Sequence, residues 1–366
     1  MRVALALTIM LATGGPILAA DNPHLVPGVW KNVTPAGVTT SFRDHVFCQG
    51  VTLDPAKPNV VYLCICAYDP KRGGLFKSID SGASWKRIGR LDEPLHVAVH
   101  PADSNRLYCV DGVRGETLGF WKSADGGETW TMPDGFKKAT EKPVGTRDLY
   151  SLAVDPADFN HLLVSFHSPW ADGRNCGVLE SADGGESWTA HPPPPSLKGG
   201  YGMAVFFLFD PARKIGDRNT WLFTAQEGGF FKTTDGGRTW KSAYPHPMTH
   251  GGNQLYRAKD GTLYSGGYQY PARSVDNGST WQQVKNGLTY SWYMGICGDG
   301  ENIYTGCSNK NQPFFMSPET DGQSWRPVND QKFSAAPFAM AFDPVHRILY
   351  SASWEEGLLA MKLRKP

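Results

Sequence analysis

Acidic residues set beside aromatic rings, arginines and histidines recur along this chain, and that mixture suits the chemistry of sugars. The clusters are Arg43-Asp44-His45, Asp92-Glu93 with His96, Arg147-Asp148 with Tyr150, and His167 with Trp170, Asp172 and Arg174. Gln226-Glu227, Tyr268-Gln269-Tyr270, Asn309-Lys310-Asn311 and Trp354-Glu355-Glu356 continue the series. Aromatic faces stack on the C–H faces of sugar rings, while carboxylates, amides and guanidinium groups bond the hydroxyls. Hydrolysis of a glycosidic bond needs two carboxyl groups roughly 5–10 Å apart, one of them held protonated. Asp44, Glu93, Asp148, Glu227 and Glu355 are the candidates for that pair. Arg43, Arg147, Arg174, His167, Trp170, Tyr268 and Trp354 are the candidates for binding substrate. The same residues admit a β-elimination on a uronic acid. There Arg43, Arg147 or Arg174 neutralises the carboxylate, and His45, His96, Tyr150, His167 or His250 takes the proton beside it.

What must bring such scattered residues together is a repeat. Five segments match Ser/Thr-x-Asp-x-Gly-x-Ser/Thr-Trp, at 78–85, 123–130, 181–188, 233–240 and 274–281. A sixth, 317–325, keeps Asp321, Gly322 and Trp325 with altered spacing. Their tryptophans recur every 41 to 58 residues, the length of a four-stranded propeller blade. A second landmark, an apolar strand running into an Asp-Pro-type turn, occurs seven times, starting at Asp54, His100, Asp155, Asp210, Asp260, Asp299 and Asp343. Seven turns and six boxes leave one blade without its outer strand. The segment 28–33 resembles the strand that follows each box, so it is expected to complete the last blade and close the ring. In each box the Asp carboxylate should accept backbone N–H bonds, the Gly should supply positive φ, and the Trp should pack between blades. The boxes are therefore scaffold, and the loops at the other end of the blades are where chemistry is expected.

This pattern resembles the Asp-box (BNR) repeat of sialidases, sortilin-type receptors, photosystem assembly factors and xyloglucan-cleaving glycoside hydrolases. The Asp155-Pro156 turn followed by the 181–188 box is more like the last three than like standard sialidases. The resemblance implies an all-β, seven-bladed β-propeller covering nearly all of 25–363. It also implies a carbohydrate-active enzyme, with a non-catalytic glycan- or protein-binding propeller as the alternative and a polysaccharide lyase as the second. Xyloglucan-cleaving relatives set their catalytic acids across a cleft between two propellers, and one propeller is present here. Phe42-Arg43 stands where sialidases carry an arginine motif, but Asp44-His45 replaces its Ile-Pro. The loops differ from blade to blade, which favours one composite site over a repeated lectin site, hence a glycoside hydrolase.

Formal net charge is +1, which offers no electrostatic case for nucleic acid or an anionic membrane. Arg2, the apolar run 3–11 and the small residues before Asp21 read as an export signal over 1–20, leaving 21–366 as a single domain, secreted or periplasmic and monomeric. No cofactor motif and no metal-ligand spacing occurs among the seven cysteines. Cys48 and Cys66 on adjacent strands are a possible disulfide, with small buried thiols as the alternative.

Overall fold

The computed structural model describes residues 22–113, 115–171, 176–197, 201–246, 253–335 and 337–364. Seven antiparallel sheets make up these residues, each a simple up-and-down meander. The innermost strands are Val46–Asp54, Pro94–His100, Leu149–Asp155, Gly202–Phe207, Leu255–Arg257, Tyr293–Gly298 and Pro337–Asp343, heading blades 1 to 7. The innermost strand of blade 7 packs against those of blades 6 and 1, so the ring is closed. This is the seven-bladed propeller expected from the turns.

Blade 7 is completed as the repeat count demanded. Lys31–Asn32 pairs antiparallel with Gly357–Lys362, in the register Lys31 to Ala360 and Asn32 to Leu359. Gly28 and Val33 extend the seam by donating to the carbonyls of Lys362 and Leu358, both at 2.8 Å. Trp30 is buried and stacks on Phe314 of blade 6 at 4.3 Å. The N-terminal segment thus supplies both a strand and an inter-blade plug. Blade 2 lacks a full outer strand: a bridge between Lys122 and Thr131 stands in for it, followed by the short helix Asp134–Ala139.

Each blade is sandwiched between two others, so second strands are buried on both faces and read as continuous apolar runs. Lys57–Ala67 carries Val60-Val61-Tyr62-Leu63-Cys64-Ile65-Cys66, all buried. Its two faces feed different interfaces: Leu63 and Ile65 pack toward blade 7, Tyr62 and Cys64 toward blade 2. Of the two readings of Cys48 and Cys66, this geometry matches small buried thiols and not a disulfide. Cys48 lies opposite Ile65 and faces blade 7, whereas Cys66 lies opposite Phe47 and faces blade 2. All seven cysteines are buried thiols, and burial pushes those of Cys48 and Cys66 above their ordinary range.

The boxes behave as hairpin staples. Asp125 accepts bonds from the backbone N–H and hydroxyl of Thr129 and from Ser123 Oγ, and Ser123 Oγ accepts from Gly127 N. The same set recurs around Asp80, Asp183, Asp235 and Asp276. Hydrogen bonds from Thr129 and Thr239 hold the Asp125 and Asp235 carboxyls down to about 2. In the sixth box the altered spacing breaks the pattern. Asp321 accepts from Ser324 N at 2.9 Å, and the buried Ser317 hydroxyl has no partner. The Asp-Pro turns share this face, with Asp54 accepting from Ala56 N and Lys57 N and Asp343 from Val345 N and His346 N.

Candidate functional site

The loops entering the innermost strands and those joining second to third strands lie at the opposite end from the boxes. Phe42, Tyr68, Tyr201, Tyr290 and Trp292 are the exposed aromatic side chains among the described residues, and all five sit in these loops. The exposed Ile79, Val275 and Val345 are aliphatic and sit in the box and Asp-Pro turns. Among the described residues, exposed aromatic surface is therefore confined to this face.

A cavity of about 360 Å³ opens on this face where blades 6, 7 and 1 meet. Phe42, Tyr290, Trp292 and Trp354 give it aromatic walls, and Ser291, Ser308, Asn309, Lys310, Ser334 and Glu355 give it a polar rim. The two blade 6 loops are tied together: Ser291 Oγ bonds Ser308 Oγ at 3.1 Å, and Asn309 Nδ2 donates to the Tyr290 carbonyl at 2.9 Å. Trp354 is fixed by an indole bond to Gln49 Oε1 at 3.0 Å and by stacking on Phe338 at 5.3 Å. Phe338 and Met294 come from innermost strands and, with Tyr150, close the channel mouth. The Thr40 hydroxyl donates to the Glu355 carbonyl at 3.0 Å, which holds the blade 1 loop carrying Phe42 and Asp44 against this rim.

Across the channel mouth, Asp148 and His167 form a second cluster. The His167 Nδ1 lies 2.9 Å from Asp148 Oδ2, Val113 N donates to Oδ1 at 2.5 Å, and the Ser168 hydroxyl donates to Oδ2. Burial raises the Asp148 carboxyl, but the hydrogen bonds outweigh it and hold the group below its ordinary range. Tyr150 and Tyr201 flank the imidazole with nearly parallel rings at 5.4 and 5.3 Å.

The remaining expected residues are spread more widely. Asp44 is exposed and 4.0 Å from Arg72, and Arg43 beside it is also exposed. His45 stacks on Tyr68 at 3.9 Å. Glu93 is enclosed with Asp92 and Asp111 inside blade 2, and burial, then the Asp92 charge, push the Asp111 carboxyl well above its ordinary range. Glu227 is exposed on blade 4, away from the cavity. Arg147 reaches outward, its Nε bonding Thr140 Oγ1 at 3.2 Å. Tyr268 packs near Trp292 at 6.0 Å and does not line the cavity. Trp170, expected to bind substrate, is buried edge-on against Phe166, and Ala171 N beside it donates to the Val144 carbonyl at 2.7 Å. Arg174, Asp172, Arg114 and His250 lie outside the described residues. His96, on the innermost strand of blade 2, is exposed along a cavity that it shares with blades 1 and 3, and desolvation by the walls lowers its imidazole to about 4. Sequence reasoning gave Ser168, Phe338 and Met294 no role. The last two read as ordinary strand residues, and nothing in a strand pattern marks a channel mouth. Among the described residues no group of three or more His, Cys, Asp and Glu is placed to hold a metal ion.

No family model matches the sequence. Among curated proteins, a probable oligoxyloglucan-reducing end-specific xyloglucanase of Neosartorya fischeri is 27% identical over 263 residues, covering 69% of this chain and 30% of its own length. The oligoxyloglucan-reducing end-specific xyloglucanase of Emericella nidulans is 25% identical over 347 residues, covering 85% of this chain and 40% of its own. The chain thus spans well under half the length of these relatives. Among solved structures, a Niastella koreensis GH74 enzyme superposes with a TM-score of 0.64 at 18% identity, over 89% of this chain and 53% of that one. YCF48 from Cyanidioschyzon merolae does so with a TM-score of 0.60 at 12% identity, over 91% of this chain and 98% of that one. Both likenesses show the propeller fold. The curated relatives are glycoside hydrolases by name, and their similarity runs across most of the blades.

Proposed function

We propose that this chain is a glycoside hydrolase that takes a polysaccharide or oligosaccharide on the aromatic face of the propeller. The observation that carries this reading is the cavity built by three blades, with four aromatic walls and a hydroxyl, amide and charged rim. Sugars present apolar C–H faces and polar edges together, and a cavity with aromatic walls and a polar rim matches both. The xyloglucanase likeness makes xyloglucan and its oligosaccharides the first substrates to try. Glu355 on the cavity wall and Asp44, two residues after Phe42, are the exposed carboxylates at this rim and the proposed reacting groups. Export by a leader at 1–20 and action as a monomer fit this reading. No helix among the described residues is long and apolar enough to cross a membrane.

The test is a screen of purified protein against xyloglucan, other neutral glucans and uronic-acid polysaccharides, following reducing ends and ultraviolet-absorbing unsaturated products. New reducing ends on neutral glucans are expected. Trp354→Ala and Trp292→Ala should each weaken substrate binding by about 1 kcal/mol, roughly fivefold in KM. Glu355→Gln or Asp44→Asn should lower kcat by about 100-fold or more. Unsaturated product would replace hydrolysis by elimination, and glycan binding without any cleavage would reduce the protein to a binding module.

A further inference from the structure

We propose that a second cavity, at the outer edge of blade 2, binds a sugar carrying a single acid group, a uronic acid residue. This site shares no residue with the aromatic cavity and does not depend on the hydrolase reading.

The cavity originates in the incomplete outer strand. In blade 1, Lys86–Ile88 pairs with the third strand at Leu75, Phe76 and Lys77. In blade 2 a bridge between Lys122 and Thr131 replaces that ladder, and the chain then turns away into the helix Asp134–Ala139. A cavity of about 530 Å³ lies beside the bridge, lined there by Trp121, Thr131 and Met132. This is the size of a small-molecule site, and larger than a bare ion needs.

Its charges set it apart. Arg90 from the segment between blades 1 and 2, Lys137 from the helix and Arg147 from the loop entering blade 3 all line it, with one carboxylate, Glu116. The whole chain carries a net charge of +1, so three cations around one carboxylate are a local excess. Lys137 is paired with Asp134 at 2.6 Å. Among the described residues neither arginine has such a partner. Arg90 lies over the Trp121 ring at 5.3 Å, and Arg147 bonds Thr140 Oγ1 through Nε at 3.2 Å. Each guanidinium therefore keeps N–H donors for a ligand, and the guanidinium fork matches a carboxylate.

The frame is fixed before any ligand arrives. Buried Asp92 accepts from Glu116 N at 2.7 Å, from Thr117 N at 3.2 Å and from the Thr117 hydroxyl at 2.5 Å. These bonds pin the loop carrying Glu116 beside the segment carrying Arg90. Trp121 Nε1 donates to the Thr117 carbonyl at 2.7 Å, which ties the ring under Arg90 to the same loop. Such preorganisation lowers the ordering cost of binding.

Glu116 decides the ligand class. A sulfate or phosphate ion offers mainly acceptors, and a neighbouring carboxylate repels it. A uronic acid brings one carboxylate for the arginines and several hydroxyls that donate to Glu116. The half-buried Leu118 and Met132 give its C–H face an apolar contact.

The experiment titrates the full chain with glucuronic acid, glucose and sodium sulfate, followed by calorimetry and NMR shifts. Glucuronic acid should bind, glucose should not, and sulfate should bind about tenfold more weakly than the acid. Arg90→Gln and Arg147→Gln should each weaken glucuronic acid binding by about tenfold or more, the worth of a hydrogen bond between charged groups. Because Arg147 also ties down Thr140, Arg90→Gln decides the matter if the Arg147 variant does not fold. Trp354→Ala, in the aromatic cavity, should leave glucuronic acid affinity within about twofold. Absence of glucuronic acid binding, or binding that survives both arginine variants, overturns the proposal. Sulfate bound as tightly as the acid overturns it too, by showing a site for a bare ion. Each of these outcomes leaves the hydrolase reading to its own cleavage screen.

Discussion

At the scale of single residues, the charged side chains separate into those that stabilise and those that are left for chemistry. Glu180 bonds both His161 and His191, at 2.9 and 2.8 Å, on the outer part of blade 3. Burial raises the Glu180 carboxyl, but the two imidazoles outweigh it and bring the group down to about 2 from an ordinary 4.5. A carboxyl depressed in the folded state stabilises above its unfolded value and loses that stabilisation as pH falls through the folded one. His161 runs the other way. Burial lowers it, Glu180 and Asp155 raise it further, and its contribution is complete below 6.5 and lost as pH rises through the raised value. The network is therefore strongest between about 4.5 and 6.5. Melting temperature followed against pH should fall between 4.5 and 2 in the parent and fall less steeply over that window in Glu180→Gln. An identical slope in both proteins would show that acid unfolding is driven elsewhere.

At the scale of elements, the box is a hydrogen-bonded unit whose value depends on spacing. Ser123 Oγ donates to Asp125 at 2.8 Å and accepts from Gly127 N at 2.9 Å, whereas Ser317 in the sixth box makes neither bond. Ser123→Ala should therefore destabilise by about 1–2 kcal/mol, while Ser317→Ala should be neutral or slightly stabilising, because it removes a buried hydroxyl with no partner. Denaturant titration of the two variants checks this, and equal losses would refute the staple account. The same comparison explains why the boxes were legible beforehand. A local motif satisfies its own turn through contacts four residues apart or fewer, so residue type and spacing suffice.

At the scale of the whole molecule, closure joins residues more than three hundred positions apart. Trp30 N donates to Gln331 Oε1 at 2.7 Å, the indole stacks on Phe314, and the strand beside it covers the edge of Gly357–Lys362. Trp30→Ala leaves a large cavity between blades 6 and 7 and should cost about 3–5 kcal/mol. It should also uncover the edge strand, so aggregation on heating is expected alongside a lower midpoint. Scattering recorded during thermal unfolding reads both, and an unchanged midpoint would mean that the seam does not hold the ring.

The sequence by itself determined the blade count, the place of closure and the face on which loops vary, because each follows from short motifs recurring at blade-length intervals. It also named Asp44, Asp148, His167, Trp354 and Glu355 as residues of interest, from their types and their positions in loops. Only the tertiary structure decided which of them meet. Asp148 and His167 lie on neighbouring strand ends of one blade, but Phe42, Trp292, Trp354 and Glu355 come together from three blades, and no local signal encodes that distance. Burial was equally unreadable. The loop after Phe166 folds Trp170 inward, and the loop before Pro94 encloses Glu93, because packing against neighbouring blades decides which side of a loop faces water. A repeat fixes its own scaffold through contacts within and between adjacent units. A composite site depends on how the differing loops of non-equivalent units settle against each other, and that is a property of the closed ring alone.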